Sequence, residues 1–182
     1  MHLVNLGLPM NSTAERPNTA RSAVRFRFPE PKDGVRLWEI ARDSQVLDLN
    51  SSYAYVLWCR DFRESSVVAE VDGRVAGFVT GFFRPQDPLT LFVWQVAVDS
   101  DYRGMKIAHG MLDWLLDQPP VRRATHLETT VSPDNKASIA MFTSLARTRN
   151  TSITRSDLFP PDLFPDSHEP EDLYRIGEFE PR

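Results

Sequence analysis

A glycine-containing turn between a predicted strand and a predicted helix carries the residues best suited to bind an anion. Arg103, Gly104 and Lys106 stand in the turn, and apolar residues at helical spacing follow from Ile107 onward. A strand, a short turn and a helix start direct backbone N–H groups and the positive helix end at one place. The sequence therefore predicts an anion site, with a pyrophosphate as its natural ligand. A lone turn of this kind is a weak motif, so a plain β-α unit without a ligand remains the alternative.

The strand that leads into this turn is the most apolar stretch of the chain. Residues 91–98 contain Gln95 as the one strongly polar residue among Phe, Val and Trp side chains. Such a run predicts a strand that is buried on both faces.

Periodicity and turn residues divide the rest of the chain into a definite order of elements. Strands are predicted at 24–28, 66–71, 74–82, 91–98 and 126–131, from 153, and at 173–179. Helices are predicted from Asp33 to about 45, from a cap at 50–52 to about 62, from about 106, and at 137–147. Asp72-Gly73 predicts a hairpin turn, residues 85–88 a loop, and residues 157–170 a Pro-rich irregular segment. Residues 1–22 are polar and without period, which predicts a disordered tail before a single domain at 23–182.

Composition excludes several functional classes. A chain of 182 residues is long enough for one domain with a proper core. Its net charge of −4 is not that of a nucleic-acid-binding protein. The single cysteine, Cys59, excludes an internal disulfide and favours an intracellular location, and no run predicts a membrane span or a signal peptide. Nothing in the sequence places a histidine beside Cys59, which argues against an acyl-enzyme nucleophile.

The anion turn resembles the acyl-CoA loop of the GNAT acetyltransferases. The family pattern is Gln/Arg-x-x-Gly-x-Gly/Ala on a helix N-terminus, and Arg103 and Ala108 match it. Lys106 stands where the family usually has glycine, which matters only if the position needs a positive φ. With helical angles at Lys106 the side chain can be accommodated, and its cation would lie near phosphates. The predicted order of elements is also the GNAT order, which implies an α/β (α+β) fold with a central, mixed, mostly antiparallel sheet flanked by four helices.

This resemblance implies acetyl-CoA as co-substrate and no metal. By the same resemblance the donor site comprises Gln95, Val96, Ala97, Val98, Arg103, Gly104, Met105, Lys106, Ile107, Ala108, Asn135, Ser138 and Phe142. Phe142 stands where many members carry a tyrosine that protonates the leaving thiolate, and phenylalanine cannot do so. Simple amphipathic packing is the alternative interpretation of the helix that carries Asn135, Ser138 and Phe142.

Four longer segments resemble the L-2,4-diaminobutyrate acetyltransferases of ectoine biosynthesis: residues 47–55, 92–98, 127–135, and His168-Glu169 with 174–177. This closer resemblance implies a cytoplasmic homodimer that acetylates the side-chain amine of diaminobutyrate. It implies a substrate site formed by Asp48, Ser51, Tyr53, Trp94, Thr130 and His168. An acid such as Asp48 can hold a substrate ammonium through a charge-assisted hydrogen bond. A helix cap at Asp48, a core position for Trp94 and a surface location for His168 are the alternatives.

The implied chemistry is direct attack of an amine on a thioester. The amine has an ordinary pKa of about 10 and must lose a proton first, for which Tyr53 and Glu128 are the predicted bases, acting through water. A backbone N–H near Val96 is the predicted oxyanion donor. A GNAT enzyme for another small diamine or amino acid, a non-catalytic CoA-binding domain, and a phosphate site without CoA remain the alternatives.

Overall fold

Seven strands and four helices make up the fold in a computed structural model, which describes residues 23–165 and 168–179. Their order agrees with the predicted order throughout. The predicted disordered tail at 1–22 lies outside the described residues. The elements are β1 (Val24–Arg27), α1 (Gly34–Ser44), α2 (Ser52–Asp61), β2 (Val67–Val71), β3 (Arg74–Arg84), β4 (Asp87–Val98), α3 (Ile107–Leu116), β5 (His126–Val131), α4 (Lys136–Thr148), β6 (Ser152–Phe159) and β7 (Glu171–Gly177).

The strands form one mixed sheet in the order β1-β2-β3-β4-β5-β7-β6. Every neighbouring pair is antiparallel except β4 and β5, which are parallel. A parallel pair needs a crossover connection, and α3 supplies it. The predicted mixed, mostly antiparallel sheet is therefore confirmed.

Two hydrophobic clusters hold the helices against opposite faces of the sheet. One contains α3 and α4 side chains such as Met111, Leu112 and Leu145, which are at most 1% exposed. The other contains Leu37 of α1 and Tyr55 of α2. The amphipathic spacing predicted for these helices thus matches the faces that they bury.

Local sequence signals explain several element ends. Ser51 caps α2, since its side chain accepts a hydrogen bond from the Ala54 N–H. Asp72 and Gly73 both have positive φ, 50° and 79°, as a two-residue hairpin turn requires. The predicted cap of α1 by Asp33 is wrong, because its carboxylate accepts hydrogen bonds from Arg27 and from the Glu30 N–H instead.

One prediction about β4 is wrong. The strand begins at Asp87, so the predicted loop at 85–88 shrinks to a two-residue turn. β4 contributes buried side chains to both hydrophobic clusters, Leu91 and Val93 to the one with α3 and α4, and Ala97 to the one with α1 and α2. The residues between them are partly exposed, so the predicted burial on both faces holds for part of the strand only.

Other predicted bounds differ by a few residues. The sixth strand extends to Phe159, three residues into the segment predicted to be irregular, and β7 begins and ends two residues earlier than predicted. Within the described ranges, no helix has both the length and the apolar character needed to cross a membrane.

Candidate active site

The parallel ladder between β4 and β5 is short, and its early end opens a cleft in the sheet. Pairing covers only residues 90–92 of β4 and residues 126–128 of β5. Both strands continue beyond it, to Val98 and Val131. Past the ladder, the facing backbone groups have no partner strand among the described residues and remain available to a ligand.

The backbone N–H groups of Val96 and Val98 face this cleft. The Gln95 N–H donates to a threonine hydroxyl of β3 at 3.2 Å, and the Asp99 N–H donates to a carbonyl of β3 at 2.8 Å. Because successive N–H groups point to opposite sides of a strand, those of Val96 and Val98 point away from β3 and towards β5. The cleft thus has two donors on one wall.

A cavity of about 290 Å³, called the small cavity below, lies at the cleft. The α1–α2 loop, β4, β5, α4 and the β6–β7 connection all contribute to its lining. It brings together four of the six predicted substrate residues: Asp48, Trp94, Thr130 and His168.

Asp48 and His168 meet directly at the small cavity. His168 Nε2 lies 3.1 Å from the Asp48 carboxylate, and Nδ1 lies 2.6 Å from the Glu169 carbonyl. The ring also stacks on Phe164 at 4.2 Å between centroids. Both nitrogens face acceptors, and an imidazole can donate from both only when protonated. The Glu169 carbonyl, followed by Asp48, accordingly raises the pKa of His168 above its ordinary value.

Gln95 supports the loop that carries Asp48. Its side chain is 4% exposed, and Nε2 donates to the Asp48 carbonyl at 2.9 Å. Its Oε1 has no hydrogen-bond partner among the described residues. Gln95 also lines the small cavity, so its hydrogen bond fixes the Asp48 loop at the cavity wall.

Trp94 occupies a β-bulge. Val93 pairs with Gly81 and Gln95 with Thr80, so β4 has one residue more than β3 at this point. The Trp94 ring lies 4.6 Å from that of Trp58 and remains 39% exposed. Trp94 is therefore a cavity wall supported by a neighbouring ring, and the alternative of a core position is wrong.

A second cavity, of about 870 Å³, adjoins the first and is called the large cavity below. Eight predicted donor-site residues line it: Val96, Ala97, Val98, Arg103, Lys106, Ala108, Asn135 and Ser138. Val96, Asn135 and Ser138 also line the small cavity, so the two cavities meet there. Among the described residues that line the large cavity there are three side-chain cations and no acid.

Lys106 has a left-handed backbone, with φ 59° and ψ 24°. The helical angles that would accommodate a side chain without strain are therefore not present, and the family glycine has a steric reason here. In the part of the chain that the structure describes, no side chain caps α3. The first N–H groups of the helix, which have no partner within it, consequently face the cavity region as an anion site.

Some predicted donor residues have other surroundings. Ile107 is 2% exposed in the core, and Met105 is 42% exposed. Neither they nor Gly104 line the large cavity, while Phe142 lines the small one. For Gly104, Met105 and Ile107, the backbone groups rather than the side chains are therefore available to a ligand.

The structure does not bring Ser51, Tyr53 or Glu128 to either cavity. Ser51 caps α2, and Tyr53 is 70% exposed on that helix. Glu128 is 2% exposed and accepts hydrogen bonds from Arg84, at 2.7 Å, and from Arg175. This double ion pair joins β3, β5 and β7 and gives Glu128 a structural role.

Sequence reasoning missed several lining residues. Met141, Ser144 and Thr148 line the large cavity, together with His109 and Arg147. The helical spacing of Ser138, Met141, Ser144 and Thr148 was the available signal, because residues three or four apart share a helix face. Cys59 lies away from both cavities, and burial raises the pKa of its thiol to about 12, which argues against a nucleophilic role. The described residues contain no group of His, Cys, Asp and Glu side chains that could hold a metal ion.

Comparison with known proteins identifies the family to which this architecture belongs. The model of the acetyltransferase (GNAT) family matches residues 34–146. The chain is 48% identical to the L-2,4-diaminobutyric acid acetyltransferase of Nocardia farcinica (strain IFM 10152), over 97% of this chain and 96% of that protein. It is 53% identical to the enzyme of that name from Streptomyces coelicolor (strain ATCC BAA-471 / A3(2) / M145), over 87% and 95%.

A solved structure agrees with these relatives. The diaminobutyrate acetyltransferase EctA from Paenibacillus lautus, in complex with its substrate L-2,4-diaminobutyric acid and coenzyme A, superimposes with a TM-score of 0.85. It is 42% identical and covers 87% of this chain and 97% of its own. The chain therefore belongs to the GNAT acetyltransferase family and, within it, to the L-2,4-diaminobutyric acid acetyltransferases.

Proposed function

We propose that the protein transfers the acetyl group of acetyl-CoA to the γ-amine of L-2,4-diaminobutyrate, giving N4-acetyl-L-2,4-diaminobutyrate for the biosynthesis of ectoine. The observation that carries the proposal is the meeting of two unlike cavities at Val96. One offers cations and helix N–H groups for phosphates, and the other offers an acid and an aromatic wall for a small amine. The bound ligands of the Paenibacillus lautus enzyme support this pairing.

The donor occupies the large cavity. Arg103, Lys106 and the first N–H groups of α3 hold the pyrophosphate, because anions are favoured at a helix N-terminus and beside cations. The pantetheine amides pair with the open side of β4 at Val96 and Val98. Asn135 and Ser138 then border the thioester, where the two cavities meet.

The acceptor occupies the small cavity. Asp48 accepts a hydrogen bond from a substrate ammonium group, and Gln95 holds the loop that carries Asp48. Trp94, Thr130 and His168 line the rest of this cavity, where the aliphatic part and the carboxylate of the substrate lie. Ser51 and Tyr53 remain predicted substrate residues, from an α2 terminus next to this loop.

The reaction forms a C–N bond and breaks the C–S bond of the thioester. The γ-ammonium first loses a proton, and the free amine then attacks the carbonyl carbon. The Val96 N–H stabilises the oxyanion, since it faces the cleft where the carbonyl would lie. Tyr53 and Glu128 remain the predicted bases. Neither lines a cavity, so the proton leaves through water, which also supplies a proton to the thiolate because Phe142 has none to give.

The decisive experiment measures release of the CoA thiol from acetyl-CoA with diaminobutyrate, ornithine, lysine, putrescine and an aminoglycoside as acceptors. Diaminobutyrate should give the highest kcat/KM, and NMR of its product should show acetylation at the γ-nitrogen alone. A higher kcat/KM for another amine would assign a different substrate. Binding of CoA without turnover of any amine would indicate a non-catalytic domain.

We also propose a cytoplasmic homodimer in which residues 23–182 fold as one domain. Exposed apolar side chains that line neither cavity, Tyr53 of α2, Phe62 just after it and Leu89 of β4, support self-association. Light scattering should give twice the chain mass of 20.8 kDa. A mass of one chain at micromolar concentration would refute the dimer. Cell fractionation tests the location, and limited proteolysis that leaves one stable core tests the single domain.

A further inference from the structure

The far end of the large cavity contains residues that neither the phosphate loop nor the thioester uses. His109 of α3 and Ser144, Arg147 and Thr148 of α4 line this end. A contact of 3.2 Å between His109 Nε2 and the Thr148 hydroxyl joins the two helices there. The cavity thus continues along α4 well past the loop.

Position along α4 separates this end from the reacting atoms. Ser138 borders the junction of the two cavities, and Arg147 follows nine residues later on the same helix. At 1.5 Å of rise per residue, Arg147 lies roughly 14 Å farther along the helix axis. A ligand that reaches Arg147 from the thioester must be long.

The charge of this end is unmatched within the described part of the chain. Arg147 makes no ion pair there, whereas its neighbour Arg149 pairs with Asp113 and Asp117, each at 2.7 Å. No described acid lines the large cavity, although the protein as a whole carries a net charge of −4. A cation without a protein partner in an acid-free cavity favours an anionic group on the ligand.

We propose that Arg147 binds the 3′-phosphate of the CoA nucleotide, with Ser144 and Thr148 as hydroxyl partners at the same end of the cavity. The inference rests on the proposed function, in which CoA is the donor. CoA carries three phosphates, and the loop at Arg103 and Lys106 accounts for the two of the pyrophosphate. The third phosphate, on the ribose, lies at the nucleotide end, which is the end remote from the thioester. Arginine suits it because its planar donors match phosphate oxygens in pairs.

The test crosses two donors with three proteins. Acetyl-CoA and 3′-dephospho-acetyl-CoA are compared on the wild type, on Arg147→Gln and on Arg74→Gln. Arg74 is exposed in the β2–β3 hairpin and lines neither cavity, so its variant controls for the loss of one charge. Arg147→Gln should lower kcat/KM for acetyl-CoA about 10-fold or more, through KM, and leave the value for the dephospho donor unchanged. Arg74→Gln should equal the wild type with both.

Two outcomes would overturn the inference. One is an equal loss with both donors in Arg147→Gln, and the other is a wild type that does not distinguish the donors. If the wild type acetylates no amine, the proposed function fails, and calorimetry with CoA and 3′-dephospho-CoA decides the inference separately. A preference for CoA that Arg147→Gln abolishes would support it, and no such preference would refute it.

Discussion

At the scale of single residues, the contact between Asp48 and His168 shows how two loops far apart in sequence build one end of a site. The residues stand 120 positions apart and are joined by a hydrogen bond of 3.1 Å. The Asp48 side chain is nevertheless 84% exposed, so one carboxylate can serve both His168 and a substrate ammonium. The alternative of a helix cap is wrong for Asp48, since Ser51 caps α2.

Asp48→Asn should therefore damage recognition of the acceptor. The amide keeps the shape and one acceptor but loses the charge, which should cost about 1.5–3 kcal/mol, or roughly 10- to 100-fold in kcat/KM for diaminobutyrate. The KM for acetyl-CoA should stay the same. Steady-state kinetics measures both, and product NMR detects any α-acetyl compound formed by loss of register. A variant with wild-type kcat/KM and a single product would remove Asp48 from the substrate site.

Lys106→Gly should separate backbone strain from ligand binding. Relief of the left-handed angle should stabilise the folded state by about 1–2 kcal/mol. The extra conformational entropy of glycine in the unfolded chain should offset about 0.5–1 kcal/mol of this. The unfolding free energy should therefore rise by about 0.5 kcal/mol. Loss of the cation should raise the KM for acetyl-CoA roughly 3-fold or more. Chemical denaturation and kinetics measure the two effects. Unchanged or tighter donor binding would mean that Lys106 is only a tolerated irregularity.

At the scale of elements, Glu128 links three strands through Arg84 and Arg175. Glu128→Gln should lower the unfolding free energy by about 2–3 kcal/mol, below the usual range for a fully buried pair because Arg84 and Arg175 are 38% and 35% exposed. Asp87→Asn is the matched control, since Asp87 is 39% exposed and lies 3.6 Å from Arg175. It should cost less than about 1 kcal/mol. A stable Glu128→Gln with kcat near zero would instead favour Glu128 as the general base.

The contact between His168 of the β6–β7 connection and Asp48 of the α1–α2 loop should stabilise the fold to an extent that depends on pH. The Glu169 carbonyl and Asp48 raise the pKa of His168, and Glu171 adds to the effect. A raised pKa in the folded state stabilises below the ordinary value of about 6.5, and the stabilisation is lost as pH rises through the folded-state pKa. The stability difference between wild type and His168→Gln should thus be largest in acid and smallest in alkali, where the stacking on Phe164 still contributes. Denaturation across pH measures it, and a difference independent of pH would contradict the pairing.

The elements also show which features the sequence encodes locally. Residues 126–131 were predicted as a strand with its observed bounds, because β-branched residues and turns mark both ends. The bulge at Trp94 and the divergence of β4 from β5 depend on neighbouring strands, so the run at 91–98 gave no sign of a partly open face. The ion pairs of Glu128 join residues 44 and 47 positions apart for the same reason. The resemblance identified the loop and Asp48, but only tertiary structure separates lining side chains from neighbours such as Ile107.

At the scale of the whole molecule, the large cavity is lined by positive side chains although the net charge of the chain is negative. The chain carries a net charge of −4, yet the described lining of the large cavity has Arg103, Lys106 and Arg147 and no acid. A local field of one sign in a concave site raises the concentration of a ligand of opposite sign and speeds its association. The donor, with its phosphates, should gain from this field.

This distribution predicts that salt weakens use of the donor. Because the screening length falls from about 10 Å at 0.1 M to about 3 Å at 1 M, kcat/KM for acetyl-CoA should decline steadily as NaCl increases over that range. Arg103→Gln should flatten the decline, because one of the cations that salt screens is already absent, whereas Arg74→Gln should keep the wild-type slope. Kinetics at saturating diaminobutyrate isolates the donor. Two outcomes would contradict this prediction: a kcat/KM that does not change with salt, and an equal slope in Arg103→Gln and the wild type. Either would mean that shape and backbone hydrogen bonds, rather than the cations of the large cavity, attract the donor.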